Sequence, residues 1–487
     1  MGPVRSARRA RAARTVALAA SAGCALVLLA GSPASANVAV TRVSHDIYTD
    51  AQAQHNTEVE PDTFVSGSTI VSAFQVGRVF GGGASSIGWA TSTDGGATWA
   101  HGYLPGITFN GGGTFGQASD ASVAFDAKHN VWLISSLGLR GPTVDVLVSR
   151  STDGGLTWGN PVIAGTGQND KGWTVCDGTS TSPHFGNCYT EYDITNSGDT
   201  IRMRTSTNGG SSWGPARAPG RRHAGLGGQP VVLPNGDVVV PYESLDGSIR
   251  SFRSTNGGRS WLSSVLVSRI SHHEVAGRLR EEPLPSAEVD AAGTIYVTWA
   301  DCRFRAGCRS NDIVLSKSTS ETTWAAPVRV PIDPVTSTAD HFIPGIAVDR
   351  STSGPSARIG LTYYYYPAAS CTAATCRLDA GYISSVNGGS TWSAPAKLAG
   401  PMKLSWLPDT LLGRMFGDYI STSIPAGGRA YPILPIATAP RGSVFDLAMY
   451  VPDGGLAVTG GASAVTRKPR AVGTSPPHRP TVPKTLH

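Results

Sequence analysis

The chain has 487 residues, of which 40% are hydrophobic and 15% charged, and it carries a formal net charge of +6. That excess is confined to the ends, because residues 1–36 and 461–487 carry ten of the 40 Lys and Arg residues and no acidic residue. The remainder holds 30 basic and 34 acidic residues without a basic stripe, which argues against nucleic acid as a partner.

The first 36 residues are predicted to be a signal peptide. Five arginines lie between positions 5 and 14, an apolar run follows, and A-S-A at 34–36 fits a cleavage site. The apolar run is short for a membrane span. The chain is therefore expected to be secreted, without a transmembrane anchor, and lipid attachment at Cys24 is the weaker alternative.

The six cysteines after this segment form three close pairs in the sequence. In an exported chain, such pairs favour local disulfide bonds that pin loops. Zinc sites use Cys-x-x-Cys type spacing, which is missing from this sequence. No metal or cofactor is predicted, and the predicted bridges are Cys176–Cys188, Cys302–Cys308 and Cys371–Cys376.

An octapeptide recurs along the middle of the chain. It reads S-T-D-G-G-A-T-W at 92–99, and it returns with small changes at 151–158, 206–213, 254–261 and 385–392, with a shortened copy at 318–324. The starts are 48 to 67 residues apart, which is typical of a repeat architecture. Asp-Gly-Gly or Asn-Gly-Gly suits a tight hairpin, and the Trp is a large apolar anchor. Each copy is therefore predicted to belong to one supersecondary unit.

Short alternating apolar runs, bounded by Gly, Pro, Asn and Ser, surround the octapeptides and predict an all-β fold. A pair of strands precedes the strand that enters each octapeptide, and seven such pairs can be counted between residues 60 and 436. The seventh unit has no octapeptide and is short of its outer strand. V-A-V-T-R-V at 38–43 is predicted to supply that strand and so to remove an exposed edge.

The octapeptides resemble the Asp-box (BNR) repeat of the sialidase-like β-propeller superfamily, over roughly residues 38 to 455. The resemblance implies a propeller of four-stranded blades over 37–455, with seven blades preferred and six as the alternative. The basic, Pro-rich segment 456–487 is expected to be a disordered tail. The family's boxes turn at the outer rim, which implies a structural role for Asp94, Trp99, Asp153, Trp158, Asn208, Trp213, Asn256, Trp261, Asn387 and Trp392.

In such propellers the innermost strands converge on a central pocket, so the polar residues at their starts are the candidate site. These are Glu58, Glu60, Asp62, Asp120, Asp170, Lys171, Gln229, His341, Asp418 and Tyr419. A mostly acidic set at equivalent repeat positions suggests a binding pocket. The alternative is that each carboxylate only ties down its own loop.

A sialidase needs arginines for the substrate carboxylate, a tyrosine nucleophile paired with a carboxylate, and an acidic proton donor. By resemblance, Tyr419 matches the nucleophile, and Asp418 and Glu60 are the other catalytic candidates. Arg78 and Arg377 are similar in position to two of the family's arginines.

The family pattern is incomplete in this sequence. Val59 and Glu243 stand where two arginines are expected, and residues 79–91 contain no aspartate for the proton donor. Further substrate-binding candidates are Asp120, His341 and Arg303, the last in a disulfide-closed loop with two other arginines. H-H-E at 272–274 lacks the H-E-x-x-H spacing and is predicted to be a solvated loop.

These patterns predict a secreted, monomeric propeller directed at glycans, with an incomplete sialidase catalytic set. One alternative is an active exo-α-sialidase or another glycoside hydrolase. A second alternative is a non-catalytic propeller that binds protein. The fold alone does not decide among them.

Overall fold

The computed structural model describes residues 38–221, 223–461 and 463–464, so the predicted signal peptide and most of the predicted tail lie outside it. Within this range the regular structure is β-strand with six short 3-10 turns and no α-helix, which confirms the all-β prediction. None of the described helical turns has the length and hydrophobicity needed to span a membrane. The turns are Phe109–Gly111, Thr195–Ser197, Ala276–Arg278, Ala306–Cys308, Gly354–Ser356 and Leu404–Trp406.

We divide the strands into seven consecutive antiparallel groups, here called units 1 to 7, of which units 7, 1 and 2 are hydrogen-bonded into one 12-stranded sheet. Unit 1 comprises Ala53–Ser66, Thr69–Val79, Ala84–Ser92 and Ala100–Tyr103, and unit 2 comprises Gln117–Asp126, Val131–Arg140, Thr143–Ser151 and Val162–Gly165. Unit 3 comprises Asn169–Cys176, Cys188–Ile194 and Thr200–Ser206. In unit 4 the first strand is interrupted: Gly225–Leu226 and Val231–Val232 both pair with Val238–Ser244, and Ser248–Ser254 and Val265–Arg269 follow.

Units 5 and 6 repeat the four-stranded pattern, and unit 7 completes it with a strand from the N-terminal side of the chain. Unit 5 comprises Ser286–Val289, Ile295–Asp301, Asp312–Ser318 and Val328–Arg329, and unit 6 comprises Asp340–Val348, Ile359–Tyr366, Arg377–Ser385 and Ala396–Lys403. Unit 7 comprises Ser421–Ser423, Tyr431–Ala437, Leu447–Pro452 and Val40–Arg42. Two further short pairs are Thr391–Trp392 with Ser463–Ala464, and Asp409–Thr410 with Gly413–Arg414.

The strand from the N-terminal side pairs where the sequence predicts. Val40 lies opposite Pro452 and Arg42 lies opposite Tyr450, in antiparallel register. Backbone groups at the outer edge of unit 7 are therefore hydrogen-bonded to a segment that is about 400 residues away in the sequence.

Each unit packs against its two neighbours, and the order closes on itself. The first strand of every unit contacts the first strand of the next, and that of unit 7 contacts that of unit 1. A separate hydrophobic cluster fills each of the seven seams between neighbouring units. Successive side chains of a strand pack against opposite neighbouring units: Val238 and Val240 pack toward unit 3, whereas Val239 packs toward unit 5. Both faces of such a strand are therefore buried, as the complete burial of Val238, Val239 and Val240 shows.

The octapeptides form compact loops after the third strand of their units. In the first copy, Asp94 Oδ1 accepts hydrogen bonds from Ser92 Oγ at 2.8 Å and from the backbone N–H groups of Ala97 and Thr98 at 3.0 and 2.9 Å. The indole N–H of Trp99 donates to the carbonyl oxygen of Gly96. The loop is therefore held by its own polar groups.

The second glycine of these loops touches the preceding unit. Gly96 has a φ of +89°, and a Cβ placed on it would lie 2.2 Å from the ring of Tyr431 in unit 7. The same position in the fourth loop, Gly258, would place a Cβ 2.2 Å from Thr205 Oγ1 of unit 3. Both the backbone conformation and the close approach therefore require glycine here.

The disulfide bonds and the C-terminal boundary complete the fold. The bridges Cys176–Cys188, Cys302–Cys308 and Cys371–Cys376 are all present as predicted. The packed region extends beyond residue 455, because Leu456 is buried and exchanges backbone hydrogen bonds with Ala430.

Candidate functional site

A backbone irregularity is repeated in the first strands of four units. Glu60, Asp120, Lys171 and Ile343 have positive φ values of 55°, 46°, 52° and 48°. In each case the pairing with the second strand shifts register at that point. Bulges of this kind re-aim side chains and are frequent beside ligand sites. Three of the four positions carry charged residues that the repeat pattern predicts for the site.

The charged residues from several units meet in a buried group, here called the central cluster: Glu60, Asp120, Lys171, Arg280 and Asp418. Lys171 Nζ and Arg280 Nη2 both form ion pairs with Asp418 Oδ2. Lys171 Nζ also lies 3.8 Å from Glu60 Oε1, and the Asp418 backbone N–H donates to that same oxygen at 3.0 Å. Asp120 Oδ2 accepts from the backbone N–H of Lys171 at 3.3 Å. The cluster thus links units 1, 2 and 3, the loop before unit 5 and the segment before unit 7.

The two cations and Asp418 hold one another in their charged forms. Burial alone would raise the pKa of Asp418, but Arg280 and then Lys171 outweigh it, and the pKa is strongly lowered. Burial alone would lower the pKa of Lys171, but the surrounding carboxylates, Asp418 foremost, raise it. A buried pair of this kind is maintained by mutual compensation, because either charge alone would be costly.

The other two carboxyl groups of the central cluster are shifted toward the neutral form. Burial is the main cause that raises the pKa of Glu60 to about 7, with Lys171 opposing and Asp418 reinforcing the shift. Burial raises the pKa of Asp120 to about 6, with Lys171 opposing and Asp170 reinforcing the shift. Asp418 is therefore the carboxylate of the central cluster that is most firmly held in its charged form.

A pocket that is open to solvent lies beside the central cluster. Trp173 and Tyr419 form its aromatic wall, with ring centroids 5.1 Å apart in an edge-to-face arrangement. The Tyr419 hydroxyl donates to the carbonyl oxygen of Ala121 at 3.2 Å. Units 3 to 7 and the segments leading into them supply the lining: Lys171, Gly172, Trp173, Gly227, Gly228, Gln229, Leu284, Pro285, Ser286, Ile343, Pro344, Asp418, Tyr419 and Ile420.

The surroundings of Tyr419 oppose ionisation of its phenol. Burial raises the pKa of Tyr419 well above its ordinary value, and Glu60 and Asp120 raise it further. A nucleophilic tyrosine must transfer its proton to a base as it attacks. Here the hydroxyl proton faces a backbone carbonyl, which is not a base.

Arg78 lies at the edge of the central cluster. Its Nη1 donates to Gln75 Oε1 at 3.2 Å and to the carbonyl oxygen of Gly83, and the amide of Gln75 donates to Glu60. Burial and, secondarily, Arg280 lower the pKa of Arg78 to about 10. Arg78 is therefore tied to the wall of the site by neighbouring groups.

Three predicted substrate-binding residues have their contacts elsewhere. Arg303 forms an ion pair with Asp301 at 2.6 Å. The guanidinium of Arg377 donates to the carbonyl oxygens of Ala374 and Cys376. His341 is buried and stacks on Tyr365, with ring centroids 5.7 Å apart.

Glu58 and Asp62, also predicted from the repeat pattern, accept hydrogen bonds from the fold, although Glu58 Oε1 is buried without a partner among the described residues. Glu58 Oε2 accepts from the hydroxyl of Ser44 and from the backbone N–H of Met449 at 3.2 Å. The carboxylate of Asp62 accepts from the backbone N–H groups of Thr63 and Val123, both at 2.7 Å. These contacts account for Asp62 and for one oxygen of Glu58 without a ligand.

Sequence reasoning missed Arg280, because it lies in the loop between units 4 and 5 rather than at the start of a strand. The H-H-E segment is also not a solvated loop as a whole. His272 Nε2 lies 2.9 Å from Glu281 Oε2, and the imidazole is only 11% exposed. The neighbouring Glu281 raises the pKa of His272 to about 9, although burial opposes the shift. The run of charges at 278–282 is the signal that could have indicated a buried ionic segment.

One group of residues in the described part of the chain has the spacing of metal ligands. Single donor atoms of Asp312, Asp333 and His341 lie within 4.8 Å of one another. Arg305 forms ion pairs with Asp312 at 2.6 Å and with Asp333 at 2.7 Å, and Arg329 pairs with the same two carboxylates. These guanidinium groups already neutralise the carboxylates, so the group does not fit a metal ion.

Comparisons with known proteins give distant structural likenesses. No protein-family model matches the sequence, and no curated protein matches it. A Dyadobacter fermentans protein of unknown function aligns at 17% identity and a TM-score of 0.45, over 72% of this chain and 99% of that one. The Hadza microbial sialidase Hz136 aligns at 13% identity and a TM-score of 0.43, over 81% of this chain and 65% of its own.

A Fusarium graminearum α-L-arabinofuranosidase aligns at 14% identity and a TM-score of 0.41, over 71% of this chain and 97% of its own. At these identities and scores the likenesses assign neither a family nor an activity.

Proposed function

We propose that the seven units are the blades of one β-propeller and that its central pocket binds a glycan. The observation that carries the proposal is the aromatic wall of Trp173 and Tyr419 beside polar groups, where the innermost strands meet. Aromatic faces pack against the apolar faces of sugar rings, while polar side chains bind the hydroxyl groups. The Asp-box-like loops support the propeller assignment, because they repeat with the units and lie after their third strands.

We place the protein outside the cell. Three disulfide bonds stabilise this fold, and such bonds persist in oxidising compartments. The basic and apolar N-terminal segment has the features of an export signal.

Hydrolysis of sialosides is disfavoured by the charge distribution of the pocket. A substrate carboxylate needs guanidinium groups that are free to bind it. Lys171 and Arg280 are instead paired with Asp418, and Arg78 is tied to Gln75 and Gly83. Val59 and Glu243 stand where the sialidase pattern has arginines.

A second candidate is a glycoside hydrolase of another specificity. Glu60 is held near neutrality with a pKa of about 7, while the pKa of Asp418 is strongly lowered. Two carboxyl groups with separated pKa values can act as acid and base. If wild type hydrolyses a nitrophenyl glycoside, the Glu60→Gln variant should lose turnover of that glycoside but should still bind it.

A glycan array tests the binding proposal. The wild-type protein should be retained on a subset of glycans. Trp173→Ala should lose most of that retention, because the variant lacks the aromatic side chain on which a sugar ring would pack. Phe109→Ala is the control, since Phe109 is an exposed aromatic residue outside the pocket lining. Unchanged retention by Trp173→Ala, or no retention by the wild type, would remove the support for a glycan site in this pocket.

A further inference from the structure

Gln229 and Ser286 are polar residues that line the central pocket from neighbouring units. Gln229 lies in the interruption of the first strand of unit 4 and is partly exposed, and Ser286 begins the first strand of unit 5. The side chain of Gln229 reaches across to unit 5, where its Oε1 accepts a hydrogen bond from the backbone N–H of Ala287, the residue after Ser286. The two side chains therefore belong to the same stretch of the pocket wall.

The contact with Ala287 fixes which end of the Gln229 amide is available. A backbone N–H can only donate, so the atom that faces it is the amide oxygen, and the NH2 group lies on the other side of the planar amide. Ser286 is similar, because its Oγ accepts from the backbone N–H of Ile346 at 3.2 Å and its hydroxyl hydrogen remains available. Neither the NH2 group nor this hydroxyl donates to another residue in the described part of the chain. Both side chains therefore offer hydrogen-bond donors to a ligand.

The other polar side chains of the pocket lining are paired or enclosed. Lys171 and Asp418 form an ion pair, and the hydroxyl of Tyr419 donates to the carbonyl oxygen of Ala121. The second carboxylate oxygen of Asp418 has no partner among the residues that the structure describes, but it is buried away from solvent. The side-chain groups that remain for hydrogen bonds with a ligand are therefore the two donors of Gln229 and Ser286.

Apolar side chains lie beside these donors. Leu284 and Pro285 come directly before Ser286 in the sequence, and all three residues line the pocket. The lining also includes the aromatic pair of Trp173 and Tyr419 and the apolar residues Ile343, Pro344 and Ile420. A ligand that fits such a lining has a hydrogen-bond acceptor next to an apolar group.

We propose that Gln229 and Ser286 donate hydrogen bonds to the acyl carbonyl oxygen of an acylated amino sugar, so that the central pocket selects N-acetylated sugars over sugars without the acyl group. This inference rests on the proposed function. The acetamido group has a carbonyl oxygen that accepts two hydrogen bonds, and its methyl group can be buried against the apolar lining.

Other polar substituents of a sugar fit these groups less well. An ammonium group only donates, so it cannot pair with the NH2 group of Gln229. A carboxylate accepts, but it also needs a cation, and Lys171 and Arg280 are paired with Asp418. A hydroxyl group can accept, but it has no methyl group to bury against Leu284 and Pro285.

Calorimetric titration of the full chain with N-acetylglucosamine, glucose and glucosamine at neutral pH tests the inference, because these sugars differ in the substituent at one ring position. We expect wild type to bind N-acetylglucosamine at least about tenfold more tightly than either of the others, in line with two hydrogen bonds and a buried methyl group.

Gln229→Glu is the decisive variant, because the new carboxylate can still accept from Ala287 N–H but presents an oxygen in place of the NH2 group. It should lose the preference for N-acetylglucosamine and should bind glucosamine more tightly than N-acetylglucosamine, since a carboxylate attracts an ammonium group. Gln52→Glu is the matched control, because Gln52 is exposed and outside the pocket lining, and it should keep the wild-type order of affinities.

Equal affinity of wild type for N-acetylglucosamine and glucose, or the wild-type order of affinities in folded Gln229→Glu, would overturn the inference while leaving glycan binding intact. Retention of wild type on other glycans of the array without binding of N-acetylglucosamine would overturn it in the same way. If the three sugars do not bind and the glycan array is also silent, the proposed function fails together with the inference.

Thermal unfolding of each variant shows whether a lost signal reflects lost folding. If Gln229→Glu does not fold, Ser286→Ala takes its place, because it removes the second donor. Ser286→Ala should reduce the preference for N-acetylglucosamine over glucose at least about threefold, in line with the loss of one hydrogen bond. An unchanged preference in that variant would overturn the inference.

Discussion

Asp418 is the residue on which the buried charges of the pocket depend. It pairs with both Lys171 and Arg280, and its backbone N–H binds Glu60. Asp418→Asn leaves the buried Lys171 and the partly buried Arg280 without their main counter-charge, which should cost about 3–5 kcal/mol of unfolding free energy. Urea denaturation measures the change. Asp446→Asn is the control, because Asp446 forms a partly exposed pair with Arg42 and should change stability by less than about 1 kcal/mol.

The effect of Asp418→Asn should also depend on pH. Because the folded-state pKa of Asp418 is lowered, its contribution is present above the unfolded-state value of about 3.9 and is lost as the pH falls through the folded-state value. The difference in stability between wild type and variant should therefore be full at pH 6 and should shrink on acidification. A difference that grew as the pH fell would contradict the ion-pair account.

The site residues that could be predicted from the sequence are those that recur at similar positions of the repeat. Glu60, Asp120, Lys171 and Asp418 recur on or just before the first strands of their units, and the structure brings these four together. Arg280 was not predictable, because it reaches Asp418 from a loop whose path no periodicity describes. Arg303 and Arg377 carry the right chemistry, but local contacts with Asp301 and with backbone carbonyls hold them elsewhere.

At the scale of the element, the octapeptide loops offer a paired test of how neighbouring units pack. Gly95 and Gly96 both have positive φ values, 74° and 89°, but only the second approaches Tyr431. Gly95→Ala should cost about 1 kcal/mol through backbone strain alone. Gly96→Ala adds a clash with the ring of Tyr431 and should cost at least about 2 kcal/mol more.

Chemical denaturation of the two glycine variants gives the comparison directly. Equal losses of stability would mean that the first loop does not pack on unit 7.

The strands and the three disulfide bonds were predictable from the sequence, because turn chemistry and cysteine spacing act locally. The packing of Gly96 on Tyr431 joins residues 335 positions apart, and only the closed arrangement of units brings them together.

At the scale of the whole molecule, the strand Val40–Arg42 precedes unit 1 in the sequence and pairs with Leu447–Pro452, the third strand of unit 7. Removal of residues 38–43 exposes the edge of Leu447–Pro452 and removes Val43 from the cluster between units 7 and 1. We expect a lower melting temperature and increased aggregation, because an unpaired edge strand can pair with another molecule. Removal of residues 466–487 is the control and should leave both properties nearly unchanged, as expected for a basic, Pro-rich segment. Equal behaviour of the two truncations would contradict closure by this strand.

We propose that the cations of the central cluster are paired with Asp418 and so cannot bind a substrate carboxylate. The most direct test is hydrolysis of a fluorogenic α-sialoside by the purified protein. Because its cations are already paired, and two expected arginines are replaced by Val59 and Glu243, little or no turnover is expected. Two missing charge-assisted contacts, at roughly 1.5–3 kcal/mol each, would lower the rate by several orders of magnitude. The prediction is fluorescence release indistinguishable between wild type and Tyr419→Phe. Robust turnover that Tyr419→Phe abolishes would contradict it and would establish an active sialidase.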